Sequence, residues 1–186
     1  MHPTAEDGFQ RMLRGGRPLS MTERVLDIGG ADVNGTVHQI LRGLSRVLRL
    51  DVLDVTPGPG VTIVADATKL ETWKTIRAEF GLYDLVITTE TLEHVQEWDA
   101  LVAGAARVLR PGGWFIGTCA GVGRRPHGAR GEYDPPAGEW YANVSADLLI
   151  DVLADCFEGE LAVEYSRRPE LPTTCDLYWR AQVLPC

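Results

Sequence analysis

The feature that most constrains the fold of this chain is a regular alternation of patterns between residues 25 and 119. Short runs rich in Val, Ile and Leu alternate with longer segments whose apolar residues recur at helical spacing. This alternation indicates βαβ units, right-handed crossovers and a mostly parallel sheet, which together define an α/β fold. Ligands bind such sheets beyond the carboxyl ends of the strands. The residues that directly follow each predicted strand are therefore the first candidates for function.

The alternation predicts seven strands and four helices. The strands are expected at residues 25–28, 47–55, 61–64, 84–88, 114–119, 160–166 and 176–183, and the helices at residues 35–45, 69–80, 97–109 and 145–157. We expect residues 1–22 to form a leader or lid and residues 23–186 to form one domain, because a chain of 186 residues suits a single core. Residues 119–144 are rich in Gly, Pro and Arg. A loop of this length in a compact domain is usually functional, so we expect it to hold the substrate.

Charge and composition narrow the class of partner. The 18 Lys and Arg residues are outnumbered by 26 Asp and Glu residues, which gives a formal net charge of −8. A nucleic-acid partner is not expected, because a phosphate backbone requires a basic surface. The sequence contains no membrane-span pattern and no secretory signal, so we expect a cytoplasmic protein with no membrane partner. Both a monomer and a homodimer stay open.

A glycine-rich turn follows the first predicted strand, in the sequence VLDIGGADVNG at residues 25–35. Asp54 ends the second strand and suits ribose hydroxyls, whereas Asp66 follows the third strand and suits an adenine amine. The glycines do not form the G-x-G-x-x-G pattern of dinucleotide sites, and Asp32 in the turn would repel a phosphate. The turn instead favours a cationic nucleoside without phosphates, such as S-adenosyl-L-methionine (SAM), whose amine can pair with Asp27.

Five segments, in this order, resemble the motifs of class I SAM-dependent methyltransferases. They are VLDIGGADVNG, VLDVTPGPGV, VADAT, YDLVITTETLEHV and RVLRPGGWFIGT. The chain is similar to small single-domain members of the kind found in phage and actinobacteria. The resemblance implies a Rossmann-like, seven-stranded, mostly parallel sheet in the order 3-2-1-4-5-7-6, with strand 7 antiparallel and helices on both faces. It also implies SAM as the cofactor and S-adenosylhomocysteine as the product.

The cofactor is expected to contact residues at the ends of the first four strands. We assign this role to Asp27, Ile28, Gly29, Gly30, Asp54, Val55, Asp66, Ala67, Thr89 and Glu90. The chain departs from the family at the turn itself, where Gly29-Gly30 followed by Ala31-Asp32 replaces the usual Gly-x-Gly. The path of the turn can therefore differ from that of the family.

Candidate catalytic residues follow the fourth and fifth strands. Glu90, Glu93 and His94 share one face of a helical turn, and His127 lies in the loop after strand five. His94 or His127 can act as a general base for a hydroxyl acceptor. Two carboxylates and an imidazole, completed by His127, can also bind Mg²⁺ or Mn²⁺, and this segment resembles the metal-binding variant of some quinone-biosynthesis and small-RNA 2′-O-methyltransferases. Because Leu-Glu-His is also widespread in metal-free relatives, we favour a turn that is stabilised without Mg²⁺.

The loop supplies four candidate substrate residues, Arg125, Tyr133, Trp140 and Tyr141. Arginine suits an anionic or carboxylate-bearing acceptor, and aromatic rings can wall a flat one. The sequence therefore predicts an enzyme that transfers a methyl group to an oxygen or nitrogen of a small molecule. Three alternatives stay open: a SAM-binding module with reduced catalysis, a nicotinamide-dependent oxidoreductase and a metal-dependent RNA 2′-O-methyltransferase.

Overall fold

The computed structural model of the chain describes residues 3–15, 23–32, 36–43, 47–168 and 171–184. Its elements, in chain order, are α1 (Pro3–Arg14), β1 (Glu23–Ile28), α2 (His38–Gly43), β2 (Val47–Asp54), β3 (Ile63–Val64), α3 (Leu70–Phe80), β4 (Tyr83–Thr89), a turn of 3₁₀ helix (Leu92–His94), α4 (Trp98–Val108), β5 (Leu109–Ala120), α5 (Ala146–Cys156), β6 (Leu161–Arg168) and β7 (Leu171–Gln182).

The seven strands form one sheet in the order β3-β2-β1-β4-β5-β7-β6. Strands β1 to β5 pair in parallel, and β7 runs antiparallel to both of its neighbours, β5 and β6. The order and the direction of the seventh strand confirm the predicted topology. The parallel strands end at one side of the sheet, which we call the carboxyl edge. Antiparallel β7 also reaches this edge, because its Asp176 pairs with Ala120 at the end of β5.

Helices cover both faces of the sheet, as predicted. On one face, α3, α4 and α5 enclose a core cluster that includes Trp73, Phe115 and Trp179. On the other face, Phe9 of α1 and Leu41 of α2 belong to a second buried cluster. Burying apolar side chains on both faces explains why the central strands are apolar along most of their length. None of the helices in the described ranges has the length and apolar character of a membrane span.

The first helix covers part of the segment that the sequence predicts as a leader or lid. Residues Phe9, Met12 and Leu13 are buried, and α1 packs on β5 and β7. Gly8 allows this close approach, because a Cβ atom there would lie 2.1 Å from the ring of Tyr178. Residues 16–22 of the same segment lie outside the described residues.

The third strand is shorter than predicted. Strands β2 and β3 are parallel, yet residues 55–62 that connect them contain no helix. A parallel crossover usually needs a helix, so this short connection leaves β3 with only Ile63 and Val64 instead of the four residues expected. One face of β2 is left open beside α2, and a cavity of about 530 Å³ lies there, lined in part by His38 and Arg49.

The fifth strand is longer than predicted. It begins at Leu109 rather than Trp114, because Tyr83 of β4 pairs with Leu109 and Leu85 pairs with Trp114. Residues 110–113, which the sequence places between the fourth helix and the fifth strand, are therefore an irregularity within the strand. Gly112 has a φ angle of 76°, which allows the backbone to leave the ladder and return to it.

Candidate active site

The glycine-rich turn begins directly after β1. Gly29 has a φ angle of 70°, and its N–H donates to the carbonyl of Leu53, at a distance of 2.8 Å. A Cβ atom on Gly29 would lie 2.4 Å from Oγ1 of Thr91, which leaves no room for a side chain. Ile28 contributes its buried side chain to the core and its carbonyl to hydrogen bonds from the hydroxyls of Thr88 and Thr91. Residues 33–35 of the turn, including Gly35, lie outside the described residues.

Asp27 is buried beneath this turn. Only 1% of the residue is exposed, and Nε2 of His38 lies 2.7 Å from its Oδ2. Burial raises the pKa of Asp27, although the hydrogen bond from His38 works against this increase. The second oxygen, Oδ1, is also buried and has no hydrogen-bond partner in the described part of the chain. His38 was not among the predicted site residues. The signal available in the sequence was its position one turn before Leu41, on the buried side of the predicted helix.

Asp54 lies at the end of β2, beside the same turn. Its Oδ1 accepts hydrogen bonds from the backbone N–H and the hydroxyl of Thr56, and its Oδ2 lies 3.4 Å from the N–H of Ala31. Asp54 therefore joins the end of β2 to the glycine turn. Val55, the next residue, is 68% exposed, so it is available to a ligand at this edge of the sheet.

Asp66 and Ala67 follow β3. The Oδ1 atom of Asp66 accepts hydrogen bonds from the N–H and the hydroxyl of Thr68, and the side-chain hydrogen bond lowers the pKa of Asp66. The carbonyl of Ala67 accepts a hydrogen bond from the indole N–H of Trp73. These contacts fix the backbone after β3, while the Asp66 side chain stays 43% exposed.

Thr89 and Glu90 end β4 in an unusual backbone conformation. Glu90 has a φ angle of 53°, the one positive value among the described non-glycine residues. Strain of this kind concentrates at functional sites, because surrounding contacts must hold it in place. Here the N–H of Glu90 donates to the carbonyl of Thr118, and the hydroxyl of Thr118 donates to Oε1 of Glu90.

An arginine side chain that is 13% exposed completes the surroundings of Glu90. The guanidinium of Arg124 contacts Asp176 and lies 3.7 Å from Oε2 of Glu90. Burial raises the pKa of Glu90, and the charge of Arg124 works against this increase. Thr118 and Asp176 were not among the predicted site residues, and Arg124 was considered only with the loop arginines that suit an anionic acceptor, because strand five, the loop and β7 are distant in sequence.

Glu93 lies in the 3₁₀ turn after β4 and is fully buried. The N–H of Ala120 donates to its Oε1, whereas Oε2 is buried without a hydrogen-bond partner among the described residues. Burial, followed by the negative charge of Glu90, raises the pKa of Glu93 to about 8. A carboxyl group held in this way is protonated at neutral pH.

His94, His127 and Tyr141 form an aromatic cluster beside Glu93. The ring centroids of His94 and His127 are 5.1 Å apart, and Tyr141 lies 5.2 Å from His94 and 5.0 Å from His127. Burial lowers the pKa of His94 to about 4, and its Nδ1 has no partner in the described structure. His127 donates its Nδ1–H to the carbonyl of Arg125, at 3.2 Å, so its Nε2 can accept a proton.

Three of the four residues considered for a metal come together. One ligand atom each of Glu93, His94 and His127 lies within 4.8 Å of the others. The unpartnered buried atoms Oε2 of Glu93 and Nδ1 of His94 fit a metal ligand set. Glu90 is instead engaged by Thr118 and Arg124. Two imidazoles and one carboxylate suit Mn²⁺ or a later transition metal better than Mg²⁺, which prefers oxygen ligands.

The four candidate substrate residues do not lie together: Tyr141 contacts the histidines, and the other three are exposed. Tyr141 lies with the two histidines, and burial raises its pKa above the usual range. Arg125 stacks on Tyr133 and forms an exposed ion pair with Asp134. Trp140 is 45% exposed. Of these four residues, therefore, Tyr141 is the one that the structure places against the candidate catalytic groups.

Comparison with known proteins gives the family. A family model described as a methyltransferase domain matches residues 26–117, from β1 to β5. The ubiquinone biosynthesis O-methyltransferase of Bordetella avium (strain 197N) is 33% identical over 106 residues, which cover 50% of this chain and 41% of that protein. The ribosomal RNA large subunit methyltransferase E of Acidiphilium cryptum (strain JF-5) is 31% identical over 106 residues, which cover 50% of this chain and 47% of that protein. The chain thus spans less than half the length of these two relatives.

Solved structures share the fold across nearly the whole chain. The N-methyltransferase NodS from Bradyrhizobium japonicum WM9, in complex with S-adenosylhomocysteine, superimposes with a TM-score of 0.60 at 18% identity. The match covers 96% of this chain and 85% of NodS. At this identity the likeness shows the fold alone. The family model, the strand order and the five sequence motifs agree, and the chain belongs to the class I SAM-dependent methyltransferases.

Proposed function

We propose that this protein transfers the methyl group of SAM to an oxygen or nitrogen atom of a small molecule. The observation that carries the proposal is the cluster at the carboxyl edge of buried Glu93 with the half-buried rings of His94, His127 and Tyr141. Thr91 joins this group to the glycine turn, because it directly precedes the 3₁₀ turn and its hydroxyl donates to the carbonyl of Ile28. A cofactor at the glycine turn therefore lies beside the proposed catalytic group.

Cofactor binding is proposed for the residues around the glycine turn and the ends of β2 to β4. Gly29 and Gly30 bring the backbone close to the ligand, and Asp27 and Asp54 supply carboxylates on either side of the turn. Asp66 and Ala67 follow β3, where an adenine ring can lie. Thr89 and Glu90, at the end of β4, would contact the cofactor on the side nearest the acceptor. The carboxylates suit the positive charge that SAM carries on its sulfonium and amine.

The chemistry is an in-line displacement at the methyl carbon. The acceptor atom attacks this carbon as the carbon–sulfur bond breaks, and neutral S-adenosylhomocysteine leaves. Much of the acceleration comes from holding the two reactants in line in a site that excludes water. The acceptor then loses one proton, which we assign to Nε2 of His127. A pKa of about 4 makes His94 a poor proton acceptor at neutral pH, so we assign His94 to shaping the pocket.

The loop residues are proposed to select the acceptor. Tyr141 lies against His127 and would contact the acceptor there, whereas Arg125, Tyr133 and Trp140 are exposed on the loop. The Arg125 guanidinium already faces Asp134, so an acceptor carboxylate would compete with this ion pair. The two curated relatives are named for O-methylation and for ribosomal RNA, and NodS is named for N-methylation. These names support an oxygen or nitrogen acceptor without selecting between them.

A metal-dependent form of the same reaction is the second candidate, since Oε2 of Glu93 and Nδ1 of His94 are buried and have no hydrogen-bond partner among the described residues. Glu93, His94 and His127 would hold the ion, and it would polarise a hydroxyl acceptor and favour loss of its proton. RNA is a weaker candidate for the acceptor, because the net charge is −8 and the guanidinium of Arg124 is engaged by Asp176 and Glu90. A protein that binds SAM with reduced catalysis would keep the glycine turn and show no turnover.

Calorimetric titration with S-adenosylhomocysteine tests the proposal first. We expect micromolar binding to the wild type, at least tenfold weaker binding to Asp54→Ala, and little change in Asp99→Ala, whose carboxylate is exposed on α4. Tight binding of NADH instead would favour the oxidoreductase. Titration with Mn²⁺, followed by its electron paramagnetic resonance signal, tests the metal. Binding that is lost in His94→Ala would establish a metal site at this cluster, which the metal-dependent form requires.

A further inference from the structure

A buried contact between the carboxylate of Asp27 and the imidazole of His38 lies beneath the glycine turn. Asp27 lies in the interior of β1, between Val52 of β2 and Ile87 of β4. His38 begins α2 and is 6% exposed. A buried carboxylate without a partner is costly, so the imidazole at 2.7 Å compensates for the loss of water around one oxygen.

The glycine turn is built around this contact. A Cβ atom on Gly30 would lie 2.3 Å from Oδ2 of Asp27, the same oxygen that contacts His38. Gly30 therefore leaves the space in which the carboxylate meets the imidazole. Oδ1 of Asp27 is buried and unpartnered among the described residues. One carboxylate oxygen is thus fixed by the protein, and the other is left for a ligand.

We propose that His38 is a positioning residue for the cofactor: it holds Oδ2 of Asp27 so that Oδ1 receives the ammonium group of the methionine part of SAM. This inference rests on the proposed function and adds to it a residue outside the five motif segments. The Nε2–H group of His38 donates a hydrogen bond to Oδ2, and Oδ1 on the other side of the carboxylate then accepts one from the ammonium. A hydrogen bond to a charged group contributes more than one between neutral groups, so the effect is measurable.

Two ligands separate this role from a structural one. S-adenosylhomocysteine carries the amino-acid part that contains the ammonium, whereas 5′-methylthioadenosine has the same adenosine and sulfur without it. Both are titrated by calorimetry into the wild type, His38→Leu and His38→Gln. Gln39→Leu is the matched control, because Gln39 is exposed on the same helix. If His38→Leu does not fold, His38→Asn replaces it, because Asn is one methylene shorter than Gln and does not reach Asp27.

We expect His38→Leu to weaken S-adenosylhomocysteine binding about tenfold and to leave 5′-methylthioadenosine binding unchanged. Glutamine keeps a donor, so His38→Gln is expected to bind within about threefold of the wild type. Equal weakening of both ligands would show a merely structural role and overturn the inference, as would no weakening of either. A wild type that binds neither ligand would overturn the proposed function itself.

Discussion

Carboxylates at the two ends of the carboxyl edge are held in different ways. At the end formed by β2 and β3, Asp54 and Asp66 accept hydrogen bonds from Thr56 and Thr68, each two residues further along the chain. These side chains are only partly buried. Local turns of this kind satisfy a carboxylate with backbone and hydroxyl donors and need no contact from another element.

At the other end, formed by β4, β5 and β7, the contacts are long-range. Thr118 and Glu90 are 28 positions apart, and Arg124 and Asp176 are 52 positions apart. The carboxyl groups here are buried, so their protonation depends on neighbours that only the fold supplies. The comparison indicates that the proposed cofactor end is encoded by local motifs, whereas the proposed acceptor end is assembled by tertiary structure.

The largest effect is expected from Arg124→Ala. This change removes the guanidinium that contacts the buried carboxylate of Asp176 and the partly buried Glu90, and breaking a buried pair costs about 3–5 kcal/mol. The free energy of unfolding, measured by urea denaturation, reports the loss. Arg125→Ala is the matched control, because its ion pair with Asp134 is exposed and is worth about 0–1 kcal/mol. Equal losses of unfolding free energy in Arg124→Ala and Arg125→Ala would show that the long-range contacts at this end are no stronger than an exposed ion pair.

Glu93→Gln is expected to stabilise the protein at pH 8. Its folded pKa of about 8 lies above the ordinary value of 4.5, so the carboxyl group contributes its stability at low pH and loses it as pH rises towards 8. Glutamine does not titrate and can still accept the hydrogen bond from Ala120. We expect a gain on the order of 3 kcal/mol at pH 8 and a smaller gain at pH 5. The midpoint of thermal unfolding at both pH values measures it.

The control for this prediction is Glu97→Gln, because Glu97 is exposed. It should change stability by less than about 0.5 kcal/mol at either pH. A gain for Glu93→Gln that does not grow with pH would contradict the burial argument. In that case the two ends of the carboxyl edge would not differ in their electrostatics.

The same difference between local and long-range contacts explains which features of the fold and site could be predicted from the sequence. The central strands, the glycine turn and the positions of Asp54 and Asp66 follow from patterns within short segments, because each element is specified by its own residues. The strand order came from the resemblance to the methyltransferase family. The contact of His38 with Asp27 and the contact of Arg124 with Asp176 depend on how the elements meet. The full length of β5 was also not predicted. Residues 110–113 resemble the end of a helix, but β5 pairs with β4 both before and after them.

Gly30→Ala tests the cofactor end directly. A Cβ atom 2.3 Å from Oδ2 of Asp27 must displace the carboxylate or the turn, which is expected to cost about 1–3 kcal/mol and to weaken S-adenosylhomocysteine binding at least tenfold. Gly43→Ala is the control, since a Cβ atom there meets nothing within 4 Å. Chemical denaturation and calorimetry measure the two effects. Unchanged binding in Gly30→Ala would place the cofactor away from this turn.

The smallest effect is expected from Thr68→Val, which removes the hydroxyl donor of Asp66 but keeps the backbone N–H. The Thr68 hydrogen bond lowers the pKa of Asp66, so its stabilisation is present above the ordinary pKa of 3.8 and is lost as pH falls below it. Because the Asp66 side chain is 43% exposed, solvent screens the effect, and we expect a loss below about 1 kcal/mol at pH 7. Urea denaturation at pH 7 and pH 3 should show this loss shrinking at the lower pH. A loss as large as that of Arg124→Ala would mean that local contacts are as strong as the long-range ones, which burial alone does not explain.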